Sequence, residues 1–489
     1  MRPNKSYRSL SVNSLSSKGE SEEEEIHKDN LISYTIVNIF SCSFGLLCFA
    51  FLESLNIIYM GYTTRSEVNM ASVGLGNIFL NFFGVLMGFG AIGGLDTMGS
   101  YCYGQKKHRL LGIYTIRTRI NLFILFVFIC VPFSYISESL IVFLNDDPVI
   151  SHQSSCYIWN MLPAVLMTFL FNLNVRYLQV IQIYFAPTII VMIGIILHFF
   201  LCYIFIILLQ FEVRGICLAT FLSMTTLFVF TTIYIFLRKR CNLSRFIYDS
   251  RVFNYEEFVD YFMLCVYSGI QHYGDYIGYE IITVFGALLN VESFIATIVV
   301  LNYANLIGYL YVGCAYPLSH FVGYFLAKEN FEMYYYVIDL FFKIFFAQAS
   351  ILGFITIYFS REIASLYTGN DQIIYLASSL FKIWGIGIVF DAFNMKFQGI
   401  LRGAGKQKIV SMWNLLSAFF WMIPVSYLLG LICNFGIIGL YLGVMATVTI
   451  LCFVNWYYYV TLNLMEVVII LNSINQDDES IKAQLDKFD

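Results

Sequence analysis

Apolar residues run along this chain in twelve long stretches, separated by short polar breaks. A helix needs roughly 20 predominantly apolar residues to cross a bilayer. Stretches of that kind fall at about 34–60, 72–98, 111–136, 155–178, 184–209, 214–237, 258–288, 293–318, 333–359, 373–400, 407–430 and 436–462. The one long break runs from Arg238 to Glu257. Backbone groups inside hydrocarbon must bond within their own segment, which predicts helices. A barrel would show short alternating strands instead. The expected fold is an all-α membrane protein of about twelve transmembrane helices.

The charges in the breaks set the expected orientation. Lys106, Lys107 and Arg109 follow span 2, and Arg238, Lys239, Arg240, Arg245 and Arg251 follow span 6. Lys328 follows span 8, and Arg402, Lys406 and Lys408 follow span 10. The other breaks hold few basic residues (Arg65, Arg214, Arg361) and several acids (Glu138, Asp146, Asp147, Glu292). Basic loops stay in the cytosol. The even-to-odd loops and both termini are therefore expected to be cytosolic. The Ser-rich, acidic start lacks the basic region and early apolar core of a signal peptide and reads as a solvated extension.

A weak internal repeat accompanies the spans. Asn174-Val-Arg-Tyr-Leu-Gln179 near the end of span 4 has a counterpart in Asn394-Met-Lys-Phe-Gln-Gly399 near the end of span 10. Arg214-Gly215-Ile216 pairs in the same way with Ile438-Gly439-Leu440. Each pair lies about six spans apart, which fits two pseudo-symmetric six-helix lobes. The expected division is a polar tail at 1–33, an N-lobe at 34–237, an inter-lobe loop at 238–257, a C-lobe at 258–462 and a polar tail at 463–489.

Composition supports a membrane protein. Of the 489 residues 59% are hydrophobic and only 12% charged, against roughly 25% charged in soluble domains. There is no basic stripe or motif for nucleic acid. The 12 Cys are scattered, with no CxxC pair and no Cys/His cluster, so neither a disulfide framework nor a metal site is expected. Most of them read as buried free thiols. No nucleophile triad or Walker-type signature is present, so no catalytic residue, nucleotide or cofactor is expected.

An ionisable side chain in mid-membrane is costly and is a functional candidate for that reason. Five acids qualify: Glu53 in span 1, Asp96 at the end of span 2, Asp275 and Glu280 in span 7, and Asp391 in span 10. Gln271, Asp275 and Tyr279 share one face of span 7. Glu280 points roughly 140° away from Asp275. Such polar density has no place against lipid. Closely spaced carboxyls titrate as a coupled group, so a proton and a cationic substrate can compete for them. The alternative is that each acid is simply paired, for instance with His272 or Lys382. Asp96, at a helix end, reads as a gate or structural residue. Lys382 and Lys343 read as snorkelling or paired, and His198 as a satisfied core residue. Tyr273, Tyr276, Tyr279 and Tyr303 offer aromatic faces to a cation, with substrate contact favoured for Tyr279.

Two signatures carry a resemblance. Gly94-Leu-Asp96-Thr97-Met-Gly-Ser-Tyr101-Cys-Tyr103-Gly104-Gln-Lys-Lys107 is followed by Leu111-Gly112-Ile113-Tyr114 and Arg117. Leu401-Arg402-Gly403-Ala404-Gly405-Lys-Gln407-Lys408 precedes span 11, with Asn414 and Pro424 beyond it. In order and spacing, with Pro163, Tyr177-Leu178-Gln179 and Pro187, residues 35 to 460 resemble the multidrug and toxin extrusion family. Asp275 and Glu280, five residues apart, and Asp391 resemble the acids of its eukaryotic branch.

The resemblance implies a secondary antiporter. It exports organic, usually cationic, compounds against protons, with sodium as the other coupling ion, and its lobes alternate around a central cavity. Asp275, Glu280 and Asp391 would couple protons and bind cations. Gln271, Tyr279, Asn302 and Glu53 are candidates for the substrate cavity. The implied partners are small organic cations and the lipid bilayer, with the protein a monomer. Its membrane would be the plasma membrane or that of an acidic organelle.

The chain departs from the family pattern in four places. Tyr101 replaces a Gln after Asp-Thr, and Asn302 replaces a span 8 acid. Phe321-Val322-Gly323 stands where Arg-Val-Gly is usual. Asn56 falls where bacterial members carry Asp, with Glu53 one turn earlier. Two other readings remain at this point. A lipid-linked saccharide flippase of related architecture would be expected to line its cavity with cations. A membrane-embedded acyltransferase would need an intramembrane His with an acid, for which His272 and Asp275 are the near candidates.

Overall fold

A computed structural model describes residues 28–60, 66–144, 147–238, 241 and 250–473. Most of the two expected tails and half of the expected inter-lobe loop lie outside the described residues, as do the side chains of Glu53, Asp275 and Tyr276. Among the described residues, every regular element is helical.

The twelve long helices are α1 (Leu31–Met60), α2 (Val68–Gly104), α3 (His108–Val142), α4 (Pro148–Val180), α5 (Phe185–Leu208), α6 (Glu212–Leu237), α7 (Tyr255–Leu289), α8 (Val291–Ala327), α9 (Phe331–Tyr358), α10 (Asp371–Gly403), α11 (Gln407–Ile432) and α12 (Gly436–Val460). A short α13 (Leu464–Ser473) follows. Each expected apolar stretch coincides with one helix. Starts are fixed by side-chain caps: Asp147, Asn290, Asn330 and Asn370 accept hydrogen bonds from the first turns of α4, α8, α9 and α10.

Eleven of these helices are long and apolar enough to cross a membrane, and α7 is the exception. Twelve long helices match the expected fold, in which span 7 is the polar one. Gln271, His272, Asp275 and Glu280 lower the apolar content of α7. The helix is sheltered by α2, α8 and α11, which pack around it. Large apolar side chains cover the outside of the bundle, among them Phe128, Ile196, Phe200, Phe354 and Phe420. That is the pattern of a lipid-facing perimeter.

The two halves repeat in their turns. Lys107 N donates to Cys102 O (2.9 Å), and Asn330 N to Phe325 O (3.0 Å). Ile183 N donates to Leu178 O (2.8 Å), and Lys406 N to Leu401 O (2.9 Å). Each turn holds one residue in the left-handed region: Lys106 and Glu329 in the first pair, Gln182 and Gly405 in the second. This is the helix-ending arrangement in which a left-handed residue lets the next amide reach back to the helix. The displacement is constant, 106 to 329 and 182 to 405. The α5–α6 turn recurs between α11 and α12: Phe211 N donates to Phe205 O (2.9 Å), and Phe435 N to Leu429 O (3.2 Å). Gln210 and Glu212 there match Asn434 and Gly436, all with positive φ.

These turns correct part of the repeat expected from sequence. Gly215 and Gly439 do correspond, but Gln179 corresponds to Arg402 rather than to Gly399. The left-handed cap fixes the register, and the similarity of the Asn174 and Asn394 strings does not follow it.

The lobes meet along seams of small residues. A Cβ on Gly90 of α2 would collide with Gly269 Cα of α7, and one on Gly313 of α8 with Ser43 Oγ of α1. A Cβ on Gly323 of α8 would collide with Ser100 Oγ of α2. Backbones approach this closely in a membrane where side chains are small.

Candidate functional site

Two of the intramembrane carboxylates stand apart from counter-charges among the described residues. Asp391, on α10, and Glu280, on α7, are half-buried. Neither forms an ion pair or a side-chain hydrogen bond among the described residues. Asp391 lies within electrostatic range of Tyr311 on α8 and of Cys452 on α12. The Tyr311 hydroxyl is itself buried without a hydrogen-bond partner among the described residues. A buried polar group left unpaired is uncommon and calls for an explanation in function or in bound solvent. Lys382, the cation offered by the sequence as a partner, is exposed. Lys343 is engaged with Asp339 at 2.7 Å on the outside of α9.

Other predicted residues take different places. Gln271 is fully buried, and its Nε2 donates to Gln398 Oε1 at 2.7 Å. Gln398 in turn donates weakly to Asn414 Oδ1 at 3.4 Å, so this amide chain ties α7 to α10 and α11. Gln271 therefore serves helix packing in this conformation rather than an open surface. Tyr279 is half-buried and Asn302 is exposed, with Asn302 Nδ2 donating to Ile298 O at 2.9 Å. Tyr273 donates to Phe82 O, a carbonyl in the widened π-turn Asn81–Val85 of α2. Tyr303 shares a hydrogen bond with Thr356 at 2.9 Å and packs edge-on to Phe381. These two rings are occupied in packing. The side chains of Glu53, Asp275 and Tyr276, and with them the roles expected of these residues, lie outside the described residues.

Asp96 has the opposite environment. It is fully buried, and three cationic or imidazole groups surround it. Arg176 Nε stands 3.1 Å from Oδ1, His320 Nε2 also 3.1 Å from Oδ1, and Arg402 Nη1 3.8 Å from Oδ2. A carboxylate only accepts, so His320 Nε2 carries a proton and Nδ1 accepts from the Tyr184 hydroxyl at 2.8 Å. The Arg176 guanidinium also lies over the Tyr316 ring, 3.5 Å from its centre. Thr97 donates to Arg402 O (2.6 Å), and Gln407 Nε2 donates to Thr97 Oγ1 (2.8 Å). Removing one partner from a buried pair of this kind costs about 3–5 kcal/mol.

Both signatures singled out in the sequence feed this node or its flank. Arg117, fully buried, donates to Glu257 Oε2 at 2.6 Å and to Arg251 O at 2.6 Å, tying α3 to the start of α7. Thr118 and Tyr261 share a hydrogen bond at 2.5 Å across the same contact.

The N-lobe holds a separate polar pocket. His198 is fully buried; its Nδ1 lies 3.0 Å from Ser223 Oγ and its Nε2 lies 3.1 Å from Asn56 Oδ1. Thr220 also donates to Asn56 Oδ1, at 3.3 Å. His198 is thus a satisfied core residue. A cavity of about 640 Å³ between the start of α4 and the α5–α6 turn, lined by His152, Gln153, Asn160 and Arg214 among others, contains none of the predicted residues.

Sequence reasoning passed over several intramembrane basic residues, among them Arg176, His320 and Lys396. Lys396 is only 2% exposed, with its ammonium 4.6 Å from the centre of the Phe342 ring and 5.1 Å from that of Phe397. Each lies inside a predicted span or at its end. The rule that singled out the five acids would have singled these out as well.

Comparison with known proteins accords with this architecture. The MatE family model matches residues 42–204 and 273–428, most of both lobes. The Arabidopsis thaliana protein DETOXIFICATION 9 is 25% identical over 421 residues, covering 83% of this chain and 85% of its own. Multidrug and toxin extrusion protein 2 of Pongo abelii is 23% identical, covering 78% of this chain and 68% of its own. Among solved structures, the eukaryotic MATE transporter AtDTX14 superposes with a TM-score of 0.83 at 17% identity, covering 91% of this chain and 98% of its own. Matched across both lobes, the chain belongs to the MatE family of multidrug and toxin extrusion proteins, and is an integral, multi-pass membrane transporter rather than an enzyme.

Proposed function

We propose that this protein is a secondary active antiporter that exports organic cations in exchange for protons. The observation that carries the reading is the pair of half-buried C-lobe carboxylates, Asp391 and Glu280, which have no ion pair among the described residues. A carboxylate partly withdrawn from water and without a fixed cation beside it has two ways to be neutralised. It takes up a proton, or it takes up a positively charged ligand. Since both answer the same charge, occupancy by one opposes occupancy by the other. That exclusion is what exchange requires, provided the two occupants arrive from opposite sides.

Asp275, on the same helix as Glu280, completes the coupling group in this reading. Tyr279 and Asn302 contribute to the substrate surface, with Glu53 as the N-lobe candidate. Both termini face the cytosol, as loop charge indicates, and the protein works as a monomer. It resides in the plasma membrane or an acidic organelle. The buried guanidinium groups of Arg176 and Arg402 are engaged with Asp96. They are not free to hold the pyrophosphate of a lipid-linked saccharide, which weighs against a flippase.

The test is transport in proteoliposomes carrying the purified protein, with an imposed proton or sodium gradient and a panel of organic cations. Proton-driven accumulation of at least one cation, unaffected by sodium, is the expected result. Accumulation driven by sodium alone, or uptake indifferent to both gradients, would refute proton antiport.

A further inference from the structure

We propose that the buried node around Asp96 is a latch that clamps the two lobes together at the basic end of the bundle, and that cargo enters from that end only after it parts. The inference rests on the transporter reading and adds to it the place where the lobes separate.

The contacts cross between lobes. Asp96 and Thr97 of α2 reach His320 of α8 and Arg402 and Gln407 at the α10–α11 turn. Tyr184, at the start of α5, reaches His320 in the other direction. The repeat shows how the crossing is organised. The displacement that maps residue 106 onto 329 also maps Thr97 onto His320 and Tyr184 onto Gln407. The Thr97–Gln407 and His320–Tyr184 bonds are therefore two copies of one crossing. Ser100 and Gly323, related by the same displacement, face each other where the copies meet.

The charges break this symmetry. The counterparts of Asp96, Arg176 and Arg402 are Ser319, Gly399 and Gln179, all uncharged. The seam packs in both copies, so the ion cluster is an addition to it and not a requirement of the fold. The cluster is also incompletely satisfied. Asp96 Oδ2, Arg402 Nε and Ser319 Oγ are buried without hydrogen-bond partners among the described residues. Water entering a parted seam would supply those bonds, which lowers the cost of opening relative to a fully bonded cluster. Strong ionic contact with unfilled bonding capacity suits an element that must both hold and release.

Native cysteines report the state of the seam. Cys42 is 3% exposed, packs with Tyr184 and Tyr316, and accepts from Gln179. Cys217 is equally buried, but inside the N-lobe against Tyr157. The experiment alkylates the full-length protein in proteoliposomes with N-ethylmaleimide and quantifies each cysteine by mass spectrometry. In Asp96→Asn and in His320→Gln, alkylation of Cys42 should accelerate about tenfold or more while Cys217 keeps its wild-type rate. Cys42 rates unchanged in both variants would overturn the latch.

A second variant keeps every charged residue of the node. With Ser100→Cys and Gly323→Cys joined by oxidation, cation uptake should fall to background and return on reduction. Uptake after complete cross-linking that matches the rate of the reduced protein would also overturn the latch. Absence of gradient-driven uptake in the wild type would instead count against the antiport reading. The cysteine rates would still decide the latch.

Discussion

Asp96 and His320 stand 224 residues apart in the chain and 3.1 Å apart in the fold. They join the two lobes through a carboxylate and an imidazole, neither of which touches solvent. Asp391, on α10, has no such partner among the described residues. One acid is held by guanidinium and imidazole groups, and the other stands without an ion pair among the described residues.

Arg176 supplies the shortest guanidinium contact to Asp96 and stacks on Tyr316. Arg176→Gln should destabilise the protein by about 3–5 kcal/mol, since a buried carboxylate loses a partner. Arg176→Lys keeps the charge but not the planar stacking, and should fall between. Thermal unfolding in detergent orders the three proteins. Equal stabilities would contradict the burial argument.

Two glycines of α2 differ in what they face. Gly90→Ala drives a methyl group against the Gly269 backbone and should cost about 1–3 kcal/mol. Gly74 has nothing within 4 Å of an added Cβ, so Gly74→Ala should be neutral or slightly stabilising. The same unfolding assay reads both, together with the yield of folded protein.

His198 is bonded at both ring nitrogens within the N-lobe. His198→Phe should lower stability by about 1–3 kcal/mol, because Asn56 and Ser223 lose their partner. The pH dependence of transport should keep its wild-type midpoint. A moved midpoint with unchanged stability would make His198 a proton-carrying group instead.

Lys396 lies among aromatic rings and makes no ion pair among the described residues. Replacing a buried charge by an apolar group of similar length is often neutral or stabilising. Lys396→Met should unfold no earlier than the wild type, whereas Lys396→Ala should lose about 2 kcal/mol through the vacated volume. A large loss in the Met variant would show that the ammonium itself is needed.

Much of this architecture was legible in the sequence, for a physical reason. Lipid imposes a minimum apolar length on every span, so helix number and order follow from counting. The polarity of α7 was legible too, and so was its consequence that the helix needs shelter. The register of the repeat was not legible, because it is fixed by left-handed caps at Gln182 and Gly405 rather than by the side chains that resemble each other. The burial of Gln271 against Gln398 was not legible either, since helix periodicity gives a face but not the neighbour it meets. The Asp96 node depends on residues drawn from α2, α4, α8 and α10, and only Asp96 and Arg402 had a motif to mark them.

Gradient-driven uptake by Asp391 variants tests the antiport account most directly. Asp391→Asn has nearly the shape of the native residue but neither binds a proton nor attracts a cation. In proteoliposomes with an inward-directed cation and an imposed proton gradient, it should lose uptake while the purified protein unfolds at the wild-type temperature, and Asp391→Glu should retain part of the activity. Proton-driven uptake by Asp391→Asn at the wild-type rate and with the wild-type pH dependence would contradict the account.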